Sequence, residues 1–228
     1  MAQQGPQKSA IIIPDEPPVL PLESLSYPVH YAPYISNVVI PYGLVLDRIE
    51  RMAEEISQDL QASCDPEEGL HAICVLKGGF KFFTDLTDRM QSKNCCHKSL
   101  KISSHFIRAR SYQNDQSTGS VSIMKLYDLE VLANKTVLVV EDIVDTGHTL
   151  SKLIEHLHQY KPKTIKVASL LLKRTPLHNG LFPDYVGFSV PNMFIVGYAL
   201  DYNENFRDLK HICQISDEGK KKFANKPS

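Results

Sequence analysis

Three carboxylates and two hydroxyls crowd one short stretch of the chain, TVLVVEDIVDTGHT at 136 to 149: Glu141, Asp142 and Asp145, then Thr146 and Thr149 on either side of Gly147 and His148. The first turn of a helix presents unpaired N–H groups at the positive end of its dipole. With the hydroxyls of Thr146 and Thr149 they suit a phosphate monoester, and Gly147 lets the backbone come close to it. Glu141 and Asp142 fall where a strand ends, able to accept hydrogen bonds from the vicinal hydroxyls of a ribose or to face a cation-like sugar. A blander alternative stands beside this one: Asp and Thr are common N-caps, so Asp145 and Thr146 would cap the helix while Glu141 and Asp142 are solvated. The stretch is neither a P-loop, whose G-x-x-x-x-G-K-[ST] spacing is absent, nor a G-x-G-x-x-G dinucleotide turn.

These groups need a scaffold, and the hydrophobic periodicity supplies one. From Gly43, LVLDRIERMAEEISQDL places Leu46, Ile49, Ala53, Ile56 and Leu60 at steps of three and four, an amphipathic helix. LHAICVL at 70 to 76 reads as a strand. FKFFTDLTDRMQS, after Gly78 and Gly79, has Phe83, Leu86 and Met90 on one helical face, and a β-like stretch around LKISSHFIRAR follows. SYQNDQSTGS at 111 to 120 has neither period and reads as a loop. TVLVV at 136 to 140 is a β-branched run of the kind buried on both faces of a parallel sheet. It leads to a helix striped by Leu150, Leu153, Ile154 and Leu157, with further strands expected at IKVASLLL (165 to 172) and FIVGYAL (194 to 200). Strands alternating with helices predict an α/β fold, a mainly parallel twisted sheet with helices on both faces. Ligands of such sheets bind outside the carboxyl ends of the strands.

With 228 residues, 43% of them hydrophobic, the chain can bury a sizeable core as a single domain. Residues 1 to about 26, rich in Pro, Gln and Ser, are expected to be a mobile arm ahead of one domain at 27–228. Lys and Arg (25) nearly balance Asp and Glu (26), so no broad field exists to hold nucleic acid or an anionic membrane. No apolar run approaches the roughly 20 residues of a membrane span, and no signal peptide is evident. Cys64, Cys74, Cys95, Cys96 and Cys213 form no C-x-x-C pair and are expected to be reduced thiols of a cytoplasmic protein.

VLVVEDIVDTGHT resembles the phosphoribosyl pyrophosphate motif of type I phosphoribosyltransferases, specifically of the hypoxanthine-guanine phosphoribosyltransferase family. Other blocks agree in order and spacing: LKGGFKFF at 76 to 83, SYQNDQSTG at 111 to 119, KVASLLLKRTP at 166 to 176 and VGYALDYNENFRDL at 196 to 209. The resemblance covers roughly residues 27 to 223. It implies the type I fold with a small hood subdomain and transfer of a phosphoribosyl group to hypoxanthine or guanine, giving IMP or GMP and pyrophosphate. Glu141 and Asp142 would bind the ribose hydroxyls, Asp145 would exchange a proton with N7 of the purine, and Thr146, Gly147, His148 and Thr149 would hold the 5′-phosphate.

The resemblance also implies that Lys173 donates to O6 of the base, that Phe194 stacks on it, and that the Ile195 backbone reads its edge. Without it, Lys173 would be a snorkelling surface lysine and Phe194 as readily a core residue. Asp201 would bind a magnesium ion through water, with Glu141 and Asp142 as further metal-facing carboxylates; one or two carboxylates plus phosphate oxygens are chemically adequate for that ion. Arg207 would hold pyrophosphate together with the loop at Lys77 and Gly78, in which a nonprolyl cis peptide precedes the lysine. Ser111 and Tyr112 match a loop that closes over the site and excludes water.

Three positions depart from the pattern. His148 stands where relatives often carry Lys, making phosphate affinity depend on its protonation; Arg110 stands where Lys is common; His105 lies where relatives tend to carry an acid. A homodimer or homotetramer is expected from the resemblance. The alternative reading is a non-catalytic module that senses phosphoribosyl pyrophosphate on the same fold, against which the retained Asp145 argues, because a sensor has no use for a proton-transfer group.

Overall fold

The computed structural model describes residues 9–61, 64, 69–92, 100–111, 121–125 and 128–225. Tyr112 and the rest of the expected loop, Cys95, Cys96 and the first eight residues lie outside the described residues.

Parallel strands buried on both faces read as continuous apolar runs, and the three central ones do so here. They are β3 (Leu70–Leu76), β6 (Thr136–Val144) and β7 (Thr164–Lys173), flanked by β4 (Ile102–Ser111), β5 (Val121–Lys125), β8 (Tyr185–Val190) and the short β1 (Ile11–Ile12). The order across the seven-stranded sheet is β1-β8-β7-β6-β3-β4-β5. All neighbours are parallel except β4 and β5, whose antiparallel register ends on Ser111 opposite Val121. The expected mainly parallel sheet is therefore present.

Helices cover both faces. On one lie α1 (Tyr42–Gln61) and α2 (Gly79–Ser92), which bury Ile49, Ala53, Ile56 and Leu60 and then Phe83, Leu86 and Met90, the stripes their periodicity predicts. On the other lies α3 (His148–His158), through Leu150, Leu153 and Leu157. Each fully buried Leu or Ile stabilises the fold by roughly 1.5–3 kcal/mol, so these stripes fix where the helices sit.

A second, antiparallel sheet forms a hood: β2 (Ile35–Ile40), β10 (Ile212–Ile215) and β9 (Ile195–Val196), in the order β2-β10-β9. Its own core gathers Tyr31, Val38, Phe206, Leu209 and Cys213. The strand expected over 194 to 200 is thus corrected to two residues, in the hood rather than in the parallel sheet. Gly197 has φ 93° and a Cβ there would lie 2.0 Å from the His211 carbonyl oxygen. Tyr198 and Ala199 continue in the left-handed region at φ 52° and 73°, so the chain cannot stay extended.

Within the expected arm, residues 9 to 13 make specific contacts. Ile11 and Ile12 pair with Phe188 and Ser189 at the sheet edge. Arg174 donates to the carbonyls of Ser189 and Ile13 at 2.9 and 2.7 Å, and buried Arg48 donates to Gly187 O and Ser9 Oγ. Backbone pairing and two guanidinium groups hold this short stretch against the sheet edge. A short α4 (Asp217–Lys222) closes the described chain.

Candidate active site

The sheet switches winding direction between β3 and β6: from β3 the chain moves outward to β4, and from β6 the other way to β7 and β8. A crevice opens at such a switch point, outside the carboxyl ends of the strands. The last residues of β3, β6 and β7 therefore converge on one edge, and the cleft over β6 is lined by Glu141 through Gly147, with Thr149 and Leu150.

Glu141 and Asp142 are half-buried side by side. Burial raises the carboxyl pKa of both, and at Glu141 the neighbouring Asp142 charge raises it further. On the Asp142 carboxyl the opposing influences are hydrogen bonds, including one from the Ile143 N–H at 2.9 Å, and the positive charge of Arg207. The Asp142 carboxylate lies against Gly78, where a Cβ would come within 1.6 Å of Oδ2. Glycine at 78 is a condition for having an acid at 142.

Beyond Val144 the chain turns into α3 without a side-chain cap. Its N-cap is Gly147, left-handed at φ 81°, so the capping alternative for Asp145 and Thr146 is excluded. The N–H groups of His148, Thr149 and Leu150 precede the first intrahelical donor, the Ser151 N–H, which bonds Gly147 O at 2.9 Å, and the Thr146 hydroxyl sits 3.0 Å from His148 Nδ1. Such a turn offers free N–H and hydroxyl donors to an anion. Asp145 is occupied elsewhere: its Oδ2 accepts from Lys173 Nζ at 2.6 Å, across the mouth from the end of β6 to the end of β7. The lysine is only 12% exposed, so it lies along the site and not in solvent.

A second charged cluster joins the β3 end to the hood. The peptide between Leu76 and Lys77 is cis. Lys77 Nζ donates to Glu204 Oε1 at 2.9 Å, Arg207 Nε donates to Glu204 Oε2 at 3.2 Å, and Arg207 also pairs with Asp201 at 2.8 Å. Two cations face the acidic pair across the cleft, a layout suited to a substrate with phosphate at both ends of a sugar.

Residues 42–203 match the family model described as Phosphoribosyl transferase domain. Human hypoxanthine-guanine phosphoribosyltransferase is 46% identical over 224 residues, 98% of this chain and 99% of that protein. The chain belongs to this family. Human phosphoribosyltransferase domain-containing protein 1 is 48% identical over 216 residues, 93% of each chain. The crystal structure of hypoxanthine-guanine phosphoribosyltransferase from Schistosoma mansoni in complex with IMP superposes with a TM-score of 0.79 at 41% identity, over 95% of this chain and all of that one. The strand-end cleft and hood of this chain are the phosphoribosyltransferase fold, built here from the elements described.

Among the residues that the family resemblance singles out, Lys77, Gly78, Glu141, Asp142, Asp145, Thr146, Gly147, His148, Thr149 and Lys173 gather at the three strand ends, and Asp201 and Arg207 face them from the hood. Phe194 and Ile195 stand on the hood, and among the described residues no hydrogen bond or ring contact joins them to the strand ends. Phe194 is 44% exposed and meets Tyr202 edge-on at 5.2 Å, leaving a free ring face; it is not the core residue of the alternative reading. Ile195 is buried. Ser111 ends β4, and its neighbour Tyr112 lies outside the described residues.

The carboxylates Glu141, Asp142 and Asp201 are all-oxygen donors, which fit magnesium. No group of three or more His, Cys, Asp or Glu side chains able to hold a metal occurs among the described residues. Magnesium typically keeps several waters and shares phosphate oxygens, so few protein carboxylates are needed. Glu204, which bridges Lys77 and Arg207, has no signal in the sequence because its role depends on folding the hood over β3. His105, the unexplained departure, sets its Nε2 3.0 Å from Nδ1 of His71 on β3, with the rings parallel within 8°; burial lowers the His105 pKa. The pair lies on the α3 side of the sheet, packed beside Ile73 and Ile107.

Proposed function

We propose that the chain transfers the 5-phosphoribosyl group of phosphoribosyl pyrophosphate to hypoxanthine or guanine, forming IMP or GMP and pyrophosphate. The observation that carries this reading is the Lys173–Asp145 contact at 2.6 Å beside an uncapped helix start. It sets a proton-carrying group and a hydrogen-bond donor together next to a phosphate cradle, which a module that only senses the substrate would not need.

In this reading the turn from Thr146 to Thr149 takes the 5′-phosphate, and Glu141 and Asp142 accept from the ribose hydroxyls. Pyrophosphate lies against Lys77, Gly78 and Arg207. The bond from C1′ to pyrophosphate breaks as a purine ring nitrogen bonds to C1′. The two carboxylates offset the positive charge that develops on the sugar, and Asp145 exchanges the proton at N7. Lys173 donates to O6, Phe194 covers one face of the base and the Ile195 backbone reads its edge. Glu204 must release Lys77 and Arg207 to the incoming anion. Both contacts involve exposed side chains and are worth at most about 1 kcal/mol each, so a tetravalent ligand displaces them. Magnesium, held by Asp201 through water and facing Glu141 and Asp142, would neutralise pyrophosphate charge. The active form is a homodimer or homotetramer in the cytoplasm.

The test is to mix the protein with magnesium, phosphoribosyl pyrophosphate and, separately, hypoxanthine, guanine, xanthine and adenine, and to measure the nucleotide formed. Product from hypoxanthine and guanine and none from adenine is expected. Binding of phosphoribosyl pyrophosphate without product from any base would favour the sensor and overturn the proposal.

A further inference from the structure

We infer that Asn179, in the connection between β7 and β8, is a positioning residue for the reaction: it straps the Thr146–Gly147 turn from outside and holds it in the shape that receives the phosphate. This rests on the reading of that turn as the 5′-phosphate cradle. The Asn179 N–H donates to Thr146 O at 2.9 Å, its side-chain amide donates to Ser151 Oγ at 2.7 Å, and its Oδ1 accepts from the Leu181 N–H at 3.1 Å. A Cβ placed on Gly147 would come 2.2 Å from that same Oδ1, so the amide fills the space a side chain would take. One residue thus grips the turn ahead of the glycine, at it, and one helical turn after it.

The consequence follows from peptide geometry. A trans peptide points its C=O and N–H in opposite directions. With the Thr146 carbonyl drawn outward by Asn179, the Gly147 N–H is turned the other way, toward the cleft that Thr146 and Gly147 line. That N–H is a donor a bound phosphate would use, and fixing it beforehand removes an ordering cost from binding. The strap is itself fixed: the Gly180 N–H donates to His178 Nδ1 at 3.0 Å, the His178 ring stacks on Phe182 at 4.5 Å, and Arg174 ties the start of the connection to Ser189 O. A residue that merely closed its own turn would need the Leu181 contact alone.

The experiment uses the full chain and compares parent, Asn179→Ala, Ser151→Ala and the double variant. The readouts are IMP affinity by calorimetry, KM for phosphoribosyl pyrophosphate, KM for hypoxanthine, kcat and thermal melts. Asn179→Ala removes both side-chain anchors, and with them the hold that keeps its own N–H on Thr146 O. It is expected to weaken IMP and raise KM for phosphoribosyl pyrophosphate about three- to tenfold, the range for one or two neutral hydrogen bonds, while kcat and the hypoxanthine KM hold. Ser151→Ala should lose less, and the double variant should be no worse than Asn179→Ala, since the two share one contact. Unchanged IMP affinity in Asn179→Ala, equal losses at phosphate and base, or fully additive losses would each overturn the strap. If Asn179→Ala does not fold, Ser151→Ala decides by itself, and unchanged IMP affinity there counts against the strap. A parent protein that neither binds IMP nor makes it would refute the assigned activity instead.

Discussion

Replacing Asp145 by Asn separates chemistry from architecture more cleanly than any other change in this site. Asn keeps the size and one acceptor oxygen but removes the charge that Lys173 meets at 2.6 Å. Asp145 is half exposed and Lys173 only 12% exposed, so the pair sits between a surface contact worth up to about 1 kcal/mol and a buried one worth several. The cost in stability is therefore about 1–2 kcal/mol, a melting temperature lower by roughly 2–8 °C for a chain of this size. Stabilities of about 5–15 kcal/mol leave such a variant overwhelmingly folded at 25 °C. No further loss comes from the helix, because the N-cap is Gly147 and not Asp145. Loss of proton transfer, by contrast, lowers turnover on the order of 10²–10⁴-fold, about 3–5 kcal/mol in the barrier. The assay is steady-state formation of IMP from hypoxanthine, with melts and IMP binding measured on the same preparation. A folded Asn variant that binds IMP and turns over within a few-fold of the parent would refute the assignment.

Glu141→Gln should stabilise the unliganded protein increasingly as pH rises. Because burial and Asp142 hold the Glu141 carboxyl above its ordinary value of 4.5, the folded protein binds that proton more tightly than the unfolded chain. The group's contribution is thus full below that value and is lost as pH rises through the higher folded one. Melting temperatures from about pH 5 to 8 check this, and a gap that narrows with pH refutes it. Lys173→Ala should weaken 6-oxopurine binding by about 1–3 kcal/mol, since O6 is left buried and unpaired, with phosphoribosyl pyrophosphate affinity nearly intact; isothermal titration of each ligand distinguishes the two. Gly78→Ala places a Cβ 1.6 Å from Asp142 Oδ2, so the acid must move. KM for phosphoribosyl pyrophosphate should rise at least tenfold, an order-of-magnitude expectation for a displaced ribose ligand, and an unchanged KM would show that Asp142 does not hold the ribose. Cys74 and Cys213 are buried with thiols pushed up to about 12, so a thiol reagent at neutral pH should leave both unmodified in the folded protein, as peptide mapping after labelling would show.

Whatever depends on local periodicity and on side chains close together in the chain is legible in the residues alone. The amphipathic stripes of α1, α2 and α3, the apolar runs of β3, β6 and β7 and the acid-acid-turn-helix stretch at 141 to 149 are legible because each is a contiguous pattern, although whether Asp145 and Thr146 cap α3 was settled only by the left-handed Gly147 N-cap. The edge strand β1, its neighbour β8 and the hood strands β2 and β10 have no such signal. β8 carries Gly187 where a Cβ would strike the Leu170 carbonyl at 2.6 Å, and the hood strands are short and pair with distant segments. The site's contacts were decided by tertiary structure alone. Asp145 and Lys173 stand 28 residues apart, and only the parallel register that sets Val144 beside Leu172 brings the two strand ends together. Glu204 reaches Lys77 across 127 residues because the left-handed run after Gly197 folds the hood back over β3. Asn179 and Gly147 are matched in the same way, since a glycine's missing side chain says that something lies close, and the fold says what.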